Sequence, residues 1–313
     1  MPRLPCPRAA ALLLALSVAI PAIAQSDPPA APRRFERLRL AQAGELADGT
    51  DTDTASRAAP AGTRVVRDVS YGPDPAQRFD VYVPAAPPAA GAPLPVIFFV
   101  HGGAWAFGDK TNTRVVEPKV SHWIGQGYVV ISANYRMLPT PVAQQAEDVA
   151  AAIALAQSRA TSWGGDPKRF ILMGHSAGAH LVALISAGAH TAAAPQPWRG
   201  SVLLDSAALD VPALMQARHL RLYDRAFGAD PRQWTADSPM AQLAAGAAPM
   251  LAVCSSRRRE SCGRADRFAE KATGLGDQVR VLREDLSHLQ INATLGAASD
   301  YTAQVDAFMQ SVR

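Results

Sequence analysis

Cysteine is scarce, three residues in 313, too few for a disulfide scaffold, and no paired CxxC spacing of the kind that holds zinc is present. Charged residues make up only 19% of the chain and the net charge is +4, a mixed balance that argues against a polyanionic partner such as nucleic acid. There is no internal repeat. No apolar run reaches the roughly 20 residues needed to span a bilayer. What the chain does have is apolar material, 48% of it. That excludes disorder throughout and leaves enough for one large α/β core or two small ones.

One apolar run, Ala9 to Ile20, follows Arg3 and Arg8 and ends in Pro21, Ala22, Ile23 and Ala24, a small-residue site ahead of Gln25. Residues 1–24 therefore read as a secretory signal peptide, which predicts a mature protein soluble in the periplasm or outside the cell, without a stable membrane anchor. Residues 25–62, rich in Pro, Ala, Asp, Thr and Arg, read as a flexible leader. One folded domain over 63–313 remains.

Within it, short β-rich runs at Arg64 to Tyr71 and Arg78 to Val83 precede Pro95 to Val100, a continuous apolar strand that must be buried on both faces. Further strands are expected at Tyr128 to Ala133, Phe170 to Met173, Ser201 to Leu204, Met250 to Cys254 and Val279 to Leu282. Between them lie helical patterns around Val142 to Ile153, Ala177 to Ala187 and Arg264 to Leu275. This alternation predicts an α/β fold with a mainly parallel sheet flanked by helices on both faces.

Two turns in that pattern carry chemistry. The strand ending at Met173 runs into Gly174, His175, Ser176, Ala177 and Gly178, and a helix follows at once. A serine at the tip of such a turn sits on strained backbone with its oxygen exposed, and the residues two before and two after must be nearly free of side chain. The strand ending at Val100 runs into His101, Gly102, Gly103, Ala104 and Trp105. Acyl transfer through a serine builds negative charge on the carbonyl oxygen, which backbone N–H groups fixed in advance can hold. Gly102 and Gly103 are the expected donors, with the N–H of Ala177 as the third.

With both motifs in this order, the chain resembles the α/β-hydrolase superfamily. The resemblance is to the HGGxW/GxSxG esterase branch that includes hormone-sensitive-lipase-like carboxylesterases, and it runs from near Arg64 to the C-terminus. Asn134-Tyr135-Arg136 and Trp163 to Pro167 also match, and His175 to Leu181 is similar to arylformamidases and prenylcysteine methylesterases. The resemblance implies an α/β-hydrolase fold with a small helical lid and hydrolysis of a small or medium ester through an acyl-enzyme, with no metal or organic cofactor. An arylformamidase-type amidohydrolase, a feruloyl-type esterase and a catalytically silent binding module stay open.

Serine needs a base to take its proton. Of seven histidines, His288 follows the last strand, where this fold returns its base to the active edge, whereas His122, His190 and His219 have no link to a strand end. The family pattern places the acid about five residues past the strand ending at Cys254, and Glu260 is the carboxylate there. Asp205, one strand earlier, is the second candidate, and Asp266 a distant third. Cys254 and Cys262 bracket this loop, so an oxidising compartment would allow them to pair and to fix Glu260 toward His288. Arg257, Arg258 and Arg259 in the same loop read as a solvated charge run or as attraction for an anionic substrate group. The insertion between Asp205 and Pro249 carries an apolar helical face that either roofs a substrate pocket with Trp105 and Phe107 or covers the sheet edge.

Overall fold

Strand β3, Leu94–Val100, is buried along its whole length. Its alternate side chains explain why, since Val96, Phe98 and Val100 enter one apolar layer and Ile97 and Phe99 the other. In the computed structural model, which describes residue 2 and residues 60–86, 91–188 and 191–313, this strand lies near the middle of an eight-stranded sheet. The expected signal peptide and almost all of the leader lie outside the described residues, as does His190.

The other strands are β1 (Thr63–Ser70), β2 (Arg78–Pro84), β4 (Val129–Ala133), β5 (Gly165–His175), β6 (Gly200–Leu204), β7 (Met250–Ser255) and β8 (Val279–Glu284). Their spatial order is β1-β2-β4-β3-β5-β6-β7-β8. β2 pairs antiparallel with β1 and β4, and all pairings from β4 across to β8 are parallel. Each expected strand is found, with ends differing by a few residues.

Helices α1 (Thr113–Gly125), α2 (Val142–Arg159) and α3 (Ala177–Ser186) precede a lid of four short helices, α4 (Val211–Gln216), α5 (Arg221–Phe227), α6 (Pro231–Ala236) and α7 (Pro239–Gln242). Three longer or terminal pieces follow: α8 (Ser261–Gly274), α9 (His288–Ala293) and α10 (Asp300–Ser311). α2, α3 and α8 cover one face through Ile153, Leu181 and Phe268, while α1 and α10 cover the other through Trp123 and Met309. Each such side chain fully buried contributes about 1.5–3 kcal/mol before the entropy of ordering it is subtracted. No helix among the described residues is long and apolar enough to cross a membrane.

The lid is broken into short helices by its own punctuation. Asp210, Asp230 and Ser238 each accept a backbone N–H at a helix start, with a proline in the first turn of each helix. Its aromatic residues Tyr223 and Phe227 pack edge-on against Trp105, with ring centres 6.0 and 4.9 Å apart. The lid therefore sits over the C-terminal edge of the parallel strands, where the two sequence motifs emerge.

Candidate active site

β5 can turn into α3 so sharply only because Gly174 and Gly178 lack side chains. A Cβ on Gly174 would stand 2.4 Å from the Gly178 carbonyl oxygen, and one on Gly178 would stand 2.3 Å from that of Val100. The turn forces Ser176 to φ 53°, ψ −115°, backbone that non-glycine residues avoid, and a hydrogen bond from its N–H to the Leu204 carbonyl (2.9 Å) ties it to β6. Ser176 lines a small cavity beneath the lid together with Trp105, Leu222, Tyr223 and Arg258. A wider groove around Trp198, Pro249 and Asp277 lies at the opposite ends of β6 to β8 and holds neither Ser176 nor His288.

The loop after β3 passes beside this serine. A Cβ on Gly102 would lie 3.1 Å from the Ser176 Cβ, and Gly103 takes φ 122°, where a Cβ would collide with the Phe107 carbonyl at 2.0 Å. Among the described residues, the N–H groups of Gly102, Gly103 and Ala177 have no acceptor, so three donors are left free around the serine. The loop is pinned from behind. Leu138 N and Gln145 Nε2 donate to the Trp105 carbonyl, and the Trp105 indole donates to His180 Nδ1 at 3.3 Å. Burial pushes the His180 imidazole down to about 4 against the pull of the Asp237 carbonyl, so it stays neutral and can accept that bond.

Asp205 follows β6 directly and is 1% exposed, and its Oδ2 accepts a hydrogen bond from His288 Nδ1 at 2.6 Å. Arg258 Nη1 donates to the same oxygen, also at 2.6 Å, and to the Asp205 carbonyl at 3.1 Å. The other carboxylate oxygen accepts from Ser255 N at 3.1 Å and from Ser261 Oγ. Ser261 is the first residue of α8, so the positive end of that helix adds to the pull. Burial alone would raise the Asp205 carboxyl, but the His288 hydrogen bond, the Arg258 charge and Ser261 hold it well below the usual carboxylate range. The carboxylate is ionised, which makes Nδ1 the protonated nitrogen of His288 and leaves Nε2 as the acceptor.

That Nε2 has no hydrogen-bond partner among the described residues although it is buried. Burial and the neighbouring His175, whose ring centre is 4.4 Å away, push the imidazole of His288 down to about 4, with Asp205 pulling the other way. His175 also positions the histidine, its Nε2 lying 3.1 Å from the His288 carbonyl oxygen. A capping box between Ser287 and Gln290 fixes the start of α9 immediately before it.

Ser176, Gly102, Gly103, Ala177 and Trp105 thus lie together, His288 packs near His175, the residue before the serine, and Cys254 and Cys262 are joined by a disulfide. Two expectations need correction. Glu260 does not approach His288: at φ 64° it directs its carboxylate outward, 54% exposed, 3.9 Å from Arg267, and Asp205 occupies the place beside the imidazole. The disulfide accordingly frames the loop that supplies Ser255, Arg258 and Ser261 to Asp205, rather than aiming Glu260. Phe107 is 44% exposed and does not line the cavity, because the tight turn back to Gly103 carries it outward. Asp266 pairs with Arg283 on the surface. The inward turn of Arg258 and the contact of His175 with His288 were not expected. An Asp closing a buried strand, as in Leu203-Leu204-Asp205, was the signal for the acid.

A mainly parallel sheet with a serine turn after β5, a glycine loop after β3 and an Asp–His pair after β6 and β8 has the arrangement of the α/β-hydrolase fold. More narrowly, residues 79–205 match the family model described as BD-FAE, a span that contains the glycine loop and the serine turn and ends on Asp205. The chain is similar to a probable isoprenylcysteine alpha-carbonyl methylesterase, ICME, of Oryza sativa subsp. japonica, 35% identical over 121 residues, 38% of this chain and 28% of that protein. It is also similar to esterase LipC of Mycobacterium tuberculosis, 39% identical over 119 residues, again 38% of this chain and 28% of that one. The chain therefore spans little more than a quarter of the length of these curated relatives. The crystal structure of esterase B from Lactobacillus rhamnosis superposes with a TM-score of 0.68 over 88% of this chain and 92% of that one at 19% identity, a likeness of fold.

Proposed function

We propose that the protein is a serine carboxylic-ester hydrolase that works through an acyl-enzyme. The observations that support this reading are the strained Ser176 turn beside the Gly102–Gly103 loop and the buried Asp205–His288 pair, 2.6 Å apart, whose Nε2 has no hydrogen-bond partner among the described residues. Ser176 Oγ attacks the acyl carbon and its proton passes to His288 Nε2. The carbonyl oxygen, now negative, takes hydrogen bonds from the N–H groups of Gly102, Gly103 and Ala177, each such donor being worth about 10²–10³-fold in rate. Asp205 holds the imidazole in the needed tautomer and balances its charge while it is protonated. The tetrahedral adduct collapses, the alcohol leaves with the proton from His288, and water repeats the sequence to release the acid. Trp105, Leu222 and Tyr223 wall the space beside the serine.

The reading extends to location. Arg3 and Arg8, the apolar run and the Ala22-Ile23-Ala24 site support export with cleavage before Gln25, and a disulfide between Cys254 and Cys262 fits an oxidising compartment.

A fluorophosphonate probe tests the chemistry. Labelling of the native protein that is lost in Ser176→Ala, together with turnover of p-nitrophenyl esters that the variant lacks, is the expected result. A folded native protein that neither labels nor turns over any ester of graded acyl length, formyl-amide or feruloyl ester refutes it.

A further inference from the structure

Three arginines follow one another after β7, and only the middle one enters the site. Arg257 reaches outward to Asp285 and Arg259 is exposed, whereas Arg258 turns inward, its side chain 19% exposed, and forms part of the wall of the cavity that holds Ser176. Its backbone is held in place as well. The Arg258 N–H donates to the Ser255 carbonyl at 3.3 Å and its carbonyl accepts from Ser261 N at 3.3 Å, both within the ring closed by Cys254 and Cys262.

One guanidinium nitrogen makes three contacts from that position. Nη1 stands 2.6 Å from Asp205 Oδ2, 3.1 Å from the Asp205 carbonyl oxygen and 2.9 Å from His288 Nδ1. Nδ1 is itself 2.6 Å from the same Oδ2, so acid, base and guanidinium form a triangle with one oxygen at its apex. A guanidinium has no acceptor, and Nδ1 carries the proton it gives to Asp205, so the 2.9 Å edge sets two donors side by side. That edge is unfavourable and persists because both donors aim at one anionic oxygen. The repulsion is small while the imidazole is neutral and grows when it takes the serine proton and becomes a cation. A carboxylate oxygen shared in this way holds the imidazolium less tightly than an unshared one would. His175 on β5 faces the ring from the other side, so the titratable neighbours of His288 come from three elements: β5, the end of β6 and the loop after β7. Burial, His175 and Arg258 oppose protonation of His288, and Asp205 favours it.

We propose that Arg258 is a positioning residue of the hydrolysis: it fixes the Asp205 oxygen that orients His288 and shares that oxygen's charge, so that the imidazole passes the serine proton on readily to the leaving alcohol. The inference rests on the esterase reading and adds to it a group that acts through Asp205 and His288 rather than on the substrate.

Arg258→Met removes both the donor and the charge at similar side-chain length. With p-nitrophenyl butyrate, kcat is expected to fall about tenfold to a hundredfold while KM stays within about threefold. The acid limb of kcat/KM is expected to move up by about one pH unit, because no cation beside Nδ1 then opposes protonation. Arg258→Lys keeps the charge and should return the limb toward its native position with part of kcat. Arg258→Gln keeps an N–H for Asp205 and loses only the charge, so it should move the limb upward even where Arg258→Met fails to fold. An unchanged kcat in folded Arg258→Met, a rise in KM at unchanged kcat, or a limb that stays in place in Arg258→Gln overturns the proposal, as does a limb displaced as far in Arg258→Lys as in Arg258→Gln. Nitrogen-15 NMR titration of the His288 imidazole reads the same displacement without turnover. A titration point about one unit higher in Arg258→Gln than in the native protein supports the positioning role, and equal titration points overturn it, even if the absence of any ester hydrolysis has already removed the esterase reading.

Discussion

Replacing Asp205 with asparagine removes the charge at the centre of the site while keeping the side-chain shape. Oδ2 accepts from two donors, His288 Nδ1 and Arg258 Nη1, each at 2.6 Å. An amide oxygen in that position carries no charge to balance the imidazolium, and an amide NH₂ there would face two donors and turn the imidazole to the wrong tautomer. Loss of this role costs about 10⁴-fold in kcat, equivalent to about 5.5 kcal/mol of transition-state stabilisation at about 1.4 kcal/mol per decade. KM should change little, because the carboxylate does not touch the substrate. The buried Arg258 contact is left uncompensated, which costs about 1–3 kcal/mol of stability and lowers the melting temperature by several degrees. Glu260→Gln is the paired control. Its exposed side chain has one distant partner, so kcat should stay within about twofold. Steady-state kinetics with a p-nitrophenyl ester and a thermal melt of each variant decide the matter. An Asp205→Asn enzyme keeping more than about a tenth of kcat, or a Glu260→Gln enzyme losing more than that, refutes the assignment of the acid.

Gly178→Ala should fail on sterics alone, because its Cβ would stand 2.3 and 2.4 Å from the carbonyl oxygens of Val100 and His101; a loss of about 1–3 kcal/mol or more is expected from denaturant melts, and an unchanged midpoint would contradict the described turn. His288 is held near 4 by burial and by His175, so the acid limb of kcat/KM should fall below the ordinary imidazole value of 6.5 and toward 4, and an apparent pKa at or above 7 would contradict that environment. Stability should follow the same direction. Because the folded imidazole titrates below its unfolded value, its contribution is complete above about pH 6.5 and is lost as pH falls toward 4, after which the depressed Asp205 carboxyl adds a second loss below its ordinary range. Thermal melts between pH 7 and 3 read both.

Much of the architecture was legible because its determinants are local. Runs such as Val96 to Val100 and Ile171 to Met173 can only be buried strands, and the glycines at 174 and 178 announce a close approach that the collision distances bear out. α1 was not evident, since Pro118 interrupts its apolar spacing of Val115, Val116, Val120 and Trp123; those side chains nevertheless hold it to the sheet. The acid was misplaced for a different reason. Glu260 and Asp205 both follow strands that end at the active edge, and sequence spacing favoured the loop after β7. The choice was made by groups far apart in the chain: Ser255, Arg258 and Ser261 all converge on Asp205 across the gap between β6 and β7. The direction of one loop arginine and the left-handed backbone of Glu260 are set by that convergence and leave no trace in local spacing.

The bond between Cys254 and Cys262 closes a small ring, and Ser255, Arg258 and Ser261, the groups that grip the acid, are all members of that ring. Were that bond reduced, the same groups would hang from an open loop, whose ordering carries a larger entropy cost. On the proposed reading, the order of the groups around the imidazole would then depend on a covalent link that itself never meets a substrate.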